Sequence, residues 1–450
     1  MLKIAIPILT AFILLVSIQV DCFCAEETQD LSYPIKVLTI KDAIETSLIN
    51  NKAIQIQEEE VEYAKAGIMD AQGRFLPDLS VNGTYLYNEA VLPASPALSH
   101  GAKKDIGIVT GYQNDYKLGF SAEETIYNGG ANFANLKEAR IGLKIQRETL
   151  LRARLDVEFE TKRLFYGLLL AYETKRIARD LVDQAQAHYE ETETKFVQGT
   201  ASKFEVLQSK VQVATLIPQL VKADNAIELI MAEFKKLLSL DMREEIGVKG
   251  ELAHSPVDVN EDEFLKEAYQ RNPQMVLKLL GVDMNKWAIE YARAGWLPQV
   301  SAAFNYGYSS NNPDNMFDYK HTNWGVGASV TLPIFDGFAT AAKVEEARAR
   351  YNQVILSKED IADQIAVDVR DACLNLKEAK TIIDAEEDSV DEAKEALRLS
   401  EVRFNNGVGT NLDVLDAQVA LAQVEQSLAQ GKYDYIMAKA QLDRTRGREE

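Results

Sequence analysis

The spacing of apolar residues along the chain alternates between a helical period and a period of two. Over residues 130–197, apolar or small residues recur at spacings of three and four, as in the seam of a coiled coil, and the last expected seam positions are Val182, Ala185 and Tyr189. A matching seam in the second half of the chain runs from Val344 to Phe404. A helix over residues 130–197 is about 100 Å long at about 1.5 Å per residue, more than a compact globular domain requires. A second helical pattern runs over 203–239. The spacing therefore predicts a long helical hairpin over 130–239.

Strict alternation of apolar and polar residues predicts four strands, each with one apolar and one wet face. Their ranges are about 78–90, 111–126, 299–309 and 322–334. The wet face carries small polar residues, namely Ser80, Asn82, Gly307, Gly325, Gly327 and Ser329. The four strands fall into two pairs, one in each half of the chain.

The two halves of the chain repeat each other. Ile334–Gly337 matches Ile126–Gly129 at a distance of 208 positions, and such a long internal repeat determines the fold. Each repeat contains a helix, two strands and a long helical hairpin. The predicted segments are a first repeat (38–240, hairpin 130–239), a linker (241–261) and a second repeat (262–447, hairpin 338–446).

Each long hairpin turns at a short tip, which we define as residues 195–208 and 403–416. The two tips match at the same distance of 208 positions. In the second tip, Gly407 and Gly409 can adopt positive φ at little cost, so the chain can reverse there. The residues that follow suit an N-cap and a first helical turn: Thr410, Asn411 and Asp413.

Composition narrows the possible functions. The formal net charge is −20, whereas a nucleic-acid-binding protein needs a basic surface, so no nucleic acid is expected as a partner. The sequence contains no nucleophile elbow, no phosphate-binding loop and no pair of histidines at ligand spacing. We therefore expect neither an enzyme nor a cofactor or metal site. Acidic runs such as Glu58–Glu60 lie in predicted helices and indicate solvated faces.

The first residues have a positive start and an apolar core, which predicts a secretory signal peptide over 1–25. Cleavage is expected near Cys24–Glu26; retention as an anchor and a lipid on Cys22 are alternatives. Residues 26–37 are predicted to be a flexible lead. Cys373 is then the one cysteine left, so the exported chain has no disulfide framework.

The strands are the candidates for crossing a membrane, because no other apolar run reaches the length of about 18 residues that a helix requires. A four-stranded sheet alone in lipid would leave two edges unpaired. Single-chain outer membrane barrels begin at about eight strands, so several chains must share one barrel. Two chains would give a narrow filled barrel, and three would leave a lumen.

The double repeat, the Ile334–Gly337 junction and the Gly407–Ala417 tip resemble the TolC family of outer membrane efflux proteins, over residues 38–447. The resemblance implies an α+β membrane protein that forms a homotrimer. Four long strands per chain would complete a twelve-stranded β-barrel among the lipids of the outer membrane. A coiled-coil α-helical barrel would continue it through the periplasm. The expected partners are a periplasmic adaptor (membrane fusion) protein and an inner-membrane pump, proton-driven or ATP-driven.

The same resemblance assigns roles to tip residues. The adaptor contact would comprise Gly199, Ser202, Glu205, Leu207, Gly407, Thr410, Leu412 and Leu415. Asp413 and Asp416 match an acidic pair that lines the periplasmic constriction of the pore. The simpler interpretation is helix-start stabilisation and solvation, which explains Asp413 better than Asp416. Facing one lumen in a trimer, these carboxylates would favour cations and raise some of their own pKa values.

Two positions depart from the best-known member of the family. Gly409 replaces an arginine and Phe404 replaces a tyrosine, so a closing network built from those side chains is absent here. Gln208 stands in the first tip where the second has Asp416. An acidic ring is therefore expected mainly from the second repeat.

The expected function is a passive export channel that is gated at its tips. Its cargo would be small toxic molecules or, as in type I secretion, a polypeptide. The alternative from another class is a structural periplasmic coiled-coil protein or adhesin stalk. The alternating strands argue against it, because a stalk needs no lipid-facing surface.

Overall fold

The computed structural model describes residues 36–87, 114–253 and 258–448. The predicted signal peptide and residues 26–35 of the predicted lead lie outside this part of the chain. The elements in chain order are β1 (Lys36–Leu38), α1 (Ile40–Asn50), α2 (Lys52–Gly73), β2 (Asp78–Tyr87), β3 (Asn114–Asn128), α3 (Ala131–Val197), α4 (Lys203–Leu237), β4 (Ile246–Val248), α5 (Glu261–Arg271), α6 (Pro273–Arg293), β5 (Gln299–Ser310), β6 (Thr322–Thr331), α7 (Ala339–Asn405) and α8 (Asn411–Thr445).

Two helices of 67 residues each, α3 and α7, dominate the fold. Each runs antiparallel to the next helix, α4 or α8, as the predicted hairpins require. The seam predicted for α7 is confirmed by its buried side chains, which are Val344, Ala347, Ile365, Val369, Ala372, Leu376, Ala379, Ile383, Val390, Leu397 and Phe404, together with Thr340 and Cys373. Burial of such a continuous apolar stripe is what holds a helix of this length in place.

The seam of α3 differs from the prediction near its C-terminal end. Val182 and Tyr189 were the expected seam positions, but Leu181, His188 and Thr192 are the buried ones. The prediction was wrong because it followed apolar residues, whereas two polar residues occupy the buried stripe here. The partner of His188 is Asn411 in the second repeat, and the Thr192 hydroxyl donates to the His188 carbonyl on α3 itself.

The four long strands form one antiparallel sheet in the order β2–β3–β5–β6, which confirms the two predicted strand pairs. The central pair, β3 and β5, joins the two repeats. Ser80 and Ser121 share a hydrogen bond of 2.7 Å between hydroxyls on the polar face, and Ser301 and Ser329 share one of 2.8 Å. The outer strands β2 and β6 each leave one edge unpaired within the described chain.

Two short parallel strands, β1 and β4, form a second, smaller sheet. β1 pairs with β4, with Lys36 opposite Ile246. The predicted flexible lead therefore ends before residue 36, and the predicted linker contains a strand at its start. Leu38 and Ile246 belong to a core with Phe165, Phe234 and Leu238. These apolar contacts hold the short strands against α3 and α4.

The two repeats are built in the same way at their helix ends. The Asn51 amide donates to the Leu237 carbonyl at 2.9 Å, and the Asn272 amide donates to the Thr445 carbonyl at 2.8 Å. Each asparagine also caps the helix that follows it, α2 or α6. One side chain thus joins the start of one helix to the end of another in each repeat.

No helix in the described ranges is long and apolar enough to cross a membrane.

Candidate gate and docking site at the hairpin tips

The second tip is a tight turn held by backbone hydrogen bonds. Gly407 has φ +72°, and the N–H groups of Val408 and Gly409 both donate to the Arg403 carbonyl at 3.0 Å. Thr410 then caps α8. Its N–H donates to Asp413 Oδ2 at 2.9 Å, and the Asp413 N–H donates to Thr410 Oγ1 at 3.1 Å. Of the two predicted caps, Thr410 is confirmed, whereas Asn411 has another role.

The first tip repeats this geometry. Gly199 has φ +81°, and the N–H groups of Thr200 and Ala201 donate to the Lys195 carbonyl at 2.8 and 3.3 Å. Ser202 caps α4 in a reciprocal pair with Glu205, at 2.6 and 3.3 Å. The repeat seen in the sequence is therefore a repeat of the same turn and cap.

Gly409 has no room for a side chain in this turn. A Cβ atom there would lie 2.9 Å from the Phe404 nitrogen and 3.0 Å from the Arg403 Cβ. The family's arginine could not occupy this position without a change in the turn. The equivalent residue of the first tip is Ala201, whose N–H makes a longer bond to the Lys195 carbonyl, at 3.3 Å.

A mostly buried polar cluster joins the two hairpins at the tips and in the adjoining helix turns. We call His188, Gln208, Ser209 and Asn411 the tip hub. Asn411 Oδ1 lies 2.7 Å from His188 Nε2 and accepts from Ser209 Oγ at 3.1 Å. Asn411 Nδ2 donates to Gln208 Oε1 at 3.1 Å. The hub therefore connects α3 and α4 of the first hairpin to α8 of the second.

Lys195 adds a second connection between the hairpins. Its Nζ donates to Asn405 Oδ1 at 2.7 Å and lies 3.8 Å from the centre of the Phe404 ring. The same ring lies 4.9 Å from the imidazole of His188. Phe404, which cannot form the hydrogen bond of a tyrosine, is thus held by a cation–π contact. The two hairpins are joined through contacts other than the family's arginine and tyrosine.

Burial is the main influence on the protonation of His188, the titratable side chain of the tip hub. Burial lowers the pKa of His188; the Asn411 hydrogen bond and the charges of Glu191 and Glu401 raise it, and Lys195 lowers it further. Asn411 Oδ1 can only accept, so Nε2 of the neutral imidazole carries the proton. At the cap, hydrogen bonds from the Thr410 backbone and side chain hold the pKa of Asp413 below its usual value. Asp413 is therefore ionised at neutral pH.

The hub is expected to weaken as the solution is acidified. In the unfolded chain the histidine binds a proton with a pKa of about 6.5, whereas burial disfavours the protonated form in the folded chain. The contribution of neutral His188 to stability is therefore fully present above about pH 6.5 and is lost as the pH falls below it. One such proton changes the free energy of unfolding by at most about 1.4 kcal/mol per pH unit per chain. Thermal unfolding between about pH 7.5 and 5.5 measures this loss.

His188→Gln, which keeps a hydrogen-bond donor without titrating, should remove the pH-dependent part of this loss. His321→Gln is the matched control, because that residue lies beside the sheet, outside the hairpins. Equal pH dependence in the wild type and in His188→Gln would contradict the assignment.

The predicted docking residues occupy the tips, with one correction. Gly199, Ser202, Leu207, Gly407, Thr410 and Leu412 are exposed, and Glu205 is half-buried by its capping bonds. Leu415 is only 5 % exposed, whereas its repeat equivalent Leu207 is 52 % exposed. This burial argues against a docking role for Leu415, and α8 packs against α3 of the first hairpin as well as against α7. Asp413 and Asp416 are both exposed, one turn apart on α8.

Sequence reasoning missed the tip hub. Asn411 lies more than 200 positions from the other three members, and no local pattern links it with His188. The available signal was a pair of polar residues, His188 and Thr192, at the spacing of the α3 seam. A buried polar residue in a seam generally has a partner.

In the described ranges the chain thus has two helix–strand–strand–hairpin units, a four-stranded sheet with two unpaired edges, and two capped tips. The sequence profile described as "Outer membrane efflux protein" matches residues 43–238 and 264–448. The chain belongs to this family, which confirms the resemblance and the outer membrane location expected from the sequence.

Individual relatives are distant. The outer membrane protein TolC of Vibrio cholerae is 25 % identical over 289 residues, which are 62 % of this chain and 64 % of that protein. The alkaline protease secretion protein AprF of Pseudomonas aeruginosa is 23 % identical over 63 % of this chain and 61 % of that protein. The chain thus aligns with less than two thirds of the length of these relatives.

A solved structure shows the same fold over most of the chain. The Campylobacter jejuni CmeC outer membrane channel superposes with a TM-score of 0.80 at 20 % identity. The match covers 91 % of this chain and 85 % of that one. The α+β fold class predicted from the sequence is confirmed by this likeness.

Proposed function

We propose that this protein is the outer membrane channel of an export system. Three copies pool their sheets into a twelve-stranded barrel in the lipid, and their long helices form a tunnel through the periplasm. The observation that carries this proposal is the sheet, which has two unpaired edges among the described residues and continues into helices of 67 residues. Free edges are not tolerated in hydrocarbon, so the sheet must be completed by other copies.

The tips are the proposed periplasmic mouth and docking site. Leu207 and Leu412 expose apolar side chains at 52 % and 51 % beside the glycine turns. Exposed apolar groups on a rigid, capped turn suit a helical adaptor partner that covers them. The adaptor in turn connects the channel to an inner-membrane pump.

Asp413 and Asp416 are the proposed constriction. Asp413 is held ionised by its capping bonds, and Asp416 is exposed on the next turn of the same helix. Three copies would place six carboxylates around the mouth, which attract cations and repel anions. The docking and constriction roles are separate, because the first depends on apolar contact and the second on charge.

The channel is passive, and the choice of cargo lies with the pump. Small toxic molecules are the first candidate cargo. A secreted polypeptide is the second candidate cargo, and the similarity to a protein named for alkaline protease secretion supports it.

Reconstitution tests the proposal. Protein purified from the outer membrane is expected to migrate as a trimer in detergent and to conduct ions in a planar bilayer. The alternative, a structural periplasmic stalk, predicts protein in the soluble fraction and no conductance. A soluble protein that forms no channel would overturn the proposal.

A further inference from the structure

A series of side-chain contacts joins the two hairpins of the chain between its middle and its tips. The Gln426 amide donates to Thr174 Oγ1 at 3.1 Å, and the guanidinium of Arg176 lies 3.3 Å from the Glu425 carboxylate. The tip hub and Lys195 continue this series to the ends of the hairpins. The hub is the joint that holds the first residue of α8 against the first hairpin.

The hub contains a side chain that titrates in the physiological pH range. Histidine is the residue whose ordinary pKa places its change of charge between about pH 5 and 8. His188 is the one histidine in the four long helices α3, α4, α7 and α8, all of which lie within the described ranges. A proton that acts on the joint between the hairpins in this pH range therefore acts through His188.

The closed hub suits a neutral imidazole and offers no counter-ion to a charged one. His188 is 5 % exposed, and its Nε2 atom contacts the Asn411 amide oxygen at 2.7 Å. Among the described residues, no carboxylate is hydrogen-bonded to this ring. A buried charge without a paired counter-ion is unfavourable. The closed arrangement therefore selects the neutral ring.

The charged groups that face the imidazole come from α3 and α7. Glu191 and Glu401 raise the pKa of His188, Lys195 lowers it, and burial, the largest influence, lowers it. Glu191 is itself paired with Lys195 at 3.0 Å, so these two charges largely offset each other. The remaining hub members, on α4 and α8, and the Phe404 ring are uncharged.

Protonation adds charge to the hub without breaking its hydrogen bonds. Nε2 already donates to Asn411, so an incoming proton binds Nδ1. The resulting imidazolium would lie 4.9 Å from a Phe404 ring that already holds the Lys195 ammonium at 3.8 Å. Two cations would then share one aromatic ring in a buried site. Separation of the hairpins lets water reach the imidazolium and removes this penalty.

We propose that the tip hub is a proton-sensitive latch, which holds the mouth closed while His188 is neutral and releases α8 from the first hairpin when the imidazole is protonated. The proposal rests on the channel proposed above and adds the signal to which its mouth responds. One N–H bond forms, at Nδ1, with a proton from the periplasm, and no covalent bond breaks. Asp413 lies in the first turn of α8, beside Asn411, so release of α8 moves the proposed constriction.

The latch occurs once in each chain. The repeat equivalents of His188 and Asn411, at the distance of 208 positions, are Ala396 and Lys203, and both are exposed. The packing of a hairpin in this fold therefore does not itself require a buried imidazole at this position. A trimer would contain three latches.

The size of the expected response follows from proton linkage. An open hub binds one proton that the closed hub resists, so below about pH 6.5 each pH unit changes the ratio of open to closed hubs by up to about tenfold. Three hubs that open together would change the ratio of open to closed mouths by up to about a thousandfold per pH unit.

Conductance at two pH values tests the latch. Purified protein in a planar bilayer is measured at about pH 7.5 and then at about pH 5.5 in both chambers. The wild-type conductance is expected to rise at least about tenfold and to fall again when the first pH is restored, which separates opening from unfolding. His188→Gln keeps a donor for Asn411 without titrating, so its conductance should change little. A His188→Gln channel that opens in acid as the wild type does would overturn the latch.

Asn411→Asp tests the same contact with the opposite sign. Its carboxylate would give the imidazolium a counter-ion inside the closed hub, so acid should stabilise the closed mouth instead of the open one. The conductance of this variant is expected to stay level or to fall between about pH 7.5 and 5.5. An increase like that of the wild type would place the pH response outside the contact between His188 and Asn411 and would overturn the latch.

Two controls separate the latch from other titrations. His321→Gln, beside the sheet, should keep the full pH response. Asp413→Asn with Asp416→Asn should also keep it, because the latch does not depend on the charge of the constriction. Loss of the response in either control would overturn the latch.

Failure of this inference is distinguishable from failure of the channel proposal. A wild-type trimer that conducts equally at both pH values overturns the latch and leaves the channel intact. Protein that conducts at neither pH overturns both.

Discussion

Asn411→Ala is expected to lower the free energy of unfolding by about 3 kcal/mol, because it leaves the partners of a buried amide unsatisfied. Asn411 is 2 % exposed, and its side chain contacts His188, Ser209 and Gln208. Alanine restores none of these hydrogen bonds and opens a cavity beside the ring of His188. Denaturant unfolding in detergent measures the change.

The loss should be concentrated at the tips. Hydrogen exchange is expected to rise in the first turns of α8 and around His188, and to stay unchanged in the sheet. Asn405→Ala is the matched control, since it removes a hydrogen bond to Lys195 at an exposed site. Its expected cost is below about 1 kcal/mol. Equal costs for the two variants would show that the hub does not join the hairpins.

Gly129→Ala is expected to lower the free energy of unfolding of the isolated chain more than a substitution of any other glycine at the strand-to-helix junctions. Its Cβ would overlap the Ala294 carbonyl oxygen, which is backbone and cannot rotate away. An alanine at positive φ destabilises the folded chain by about 1 kcal/mol, and the steric overlap raises the total loss of stability to about 3–5 kcal/mol. We expect little folded protein in the outer membrane, measured by immunoblot of membrane fractions.

Gly130→Ala separates the two causes of that loss. Gly130 has φ +85°, but no atom lies within 4 Å of the position that a methyl group would take there. It therefore carries the backbone penalty of about 1 kcal/mol without the overlap. If Gly130→Ala lowered the amount of folded protein as much as Gly129→Ala, the close approach of the two repeats would not be the cause.

The periodic parts of this fold could be predicted from the sequence. The α7 stripe from Val344 to Phe404 was predictable because apolar burial alone selects those positions, at the period of a helix. The same holds for the four strands, whose alternation reflects two different surroundings. Thr410 and Ser202 were readable as caps because a cap is a local interaction of three or four residues.

Contacts between distant parts of the chain could not be predicted in this way. β1 has three residues and pairs with β4 about 210 positions later, so neither strand has a recognisable pattern. The exposure of Leu415 was misjudged because the repeat made it equivalent to Leu207. The repeats are alike in their turns but differ in their neighbours: α8 packs against α3 of the other hairpin as well as against α7, whereas α4 packs mainly against α3 of its own hairpin.

The chemistry of the tips shows the same division. The carboxylates of Asp413 and Asp416 stand out in the sequence because they recur at helical spacing after a turn. The tip hub does not stand out, since its amide, imidazole and hydroxyl groups lie on three helices. The arginine and tyrosine of the best-known family member are absent here. The side chains that join the two hairpins instead can be recognised only from the folded structure.

The ion selectivity of the purified channel is the most direct test of the central claim, that the protein is an export channel whose mouth is lined by Asp413 and Asp416. In a planar bilayer with a salt gradient, the wild type should show a cation-selective reversal potential. Asp413→Asn with Asp416→Asn, which keeps an oxygen to cap α8, should move that potential toward zero, whereas Glu205→Gln in the first tip should change it little. A wild type without cation preference, or a reversal potential that the double variant leaves unchanged, would contradict the account.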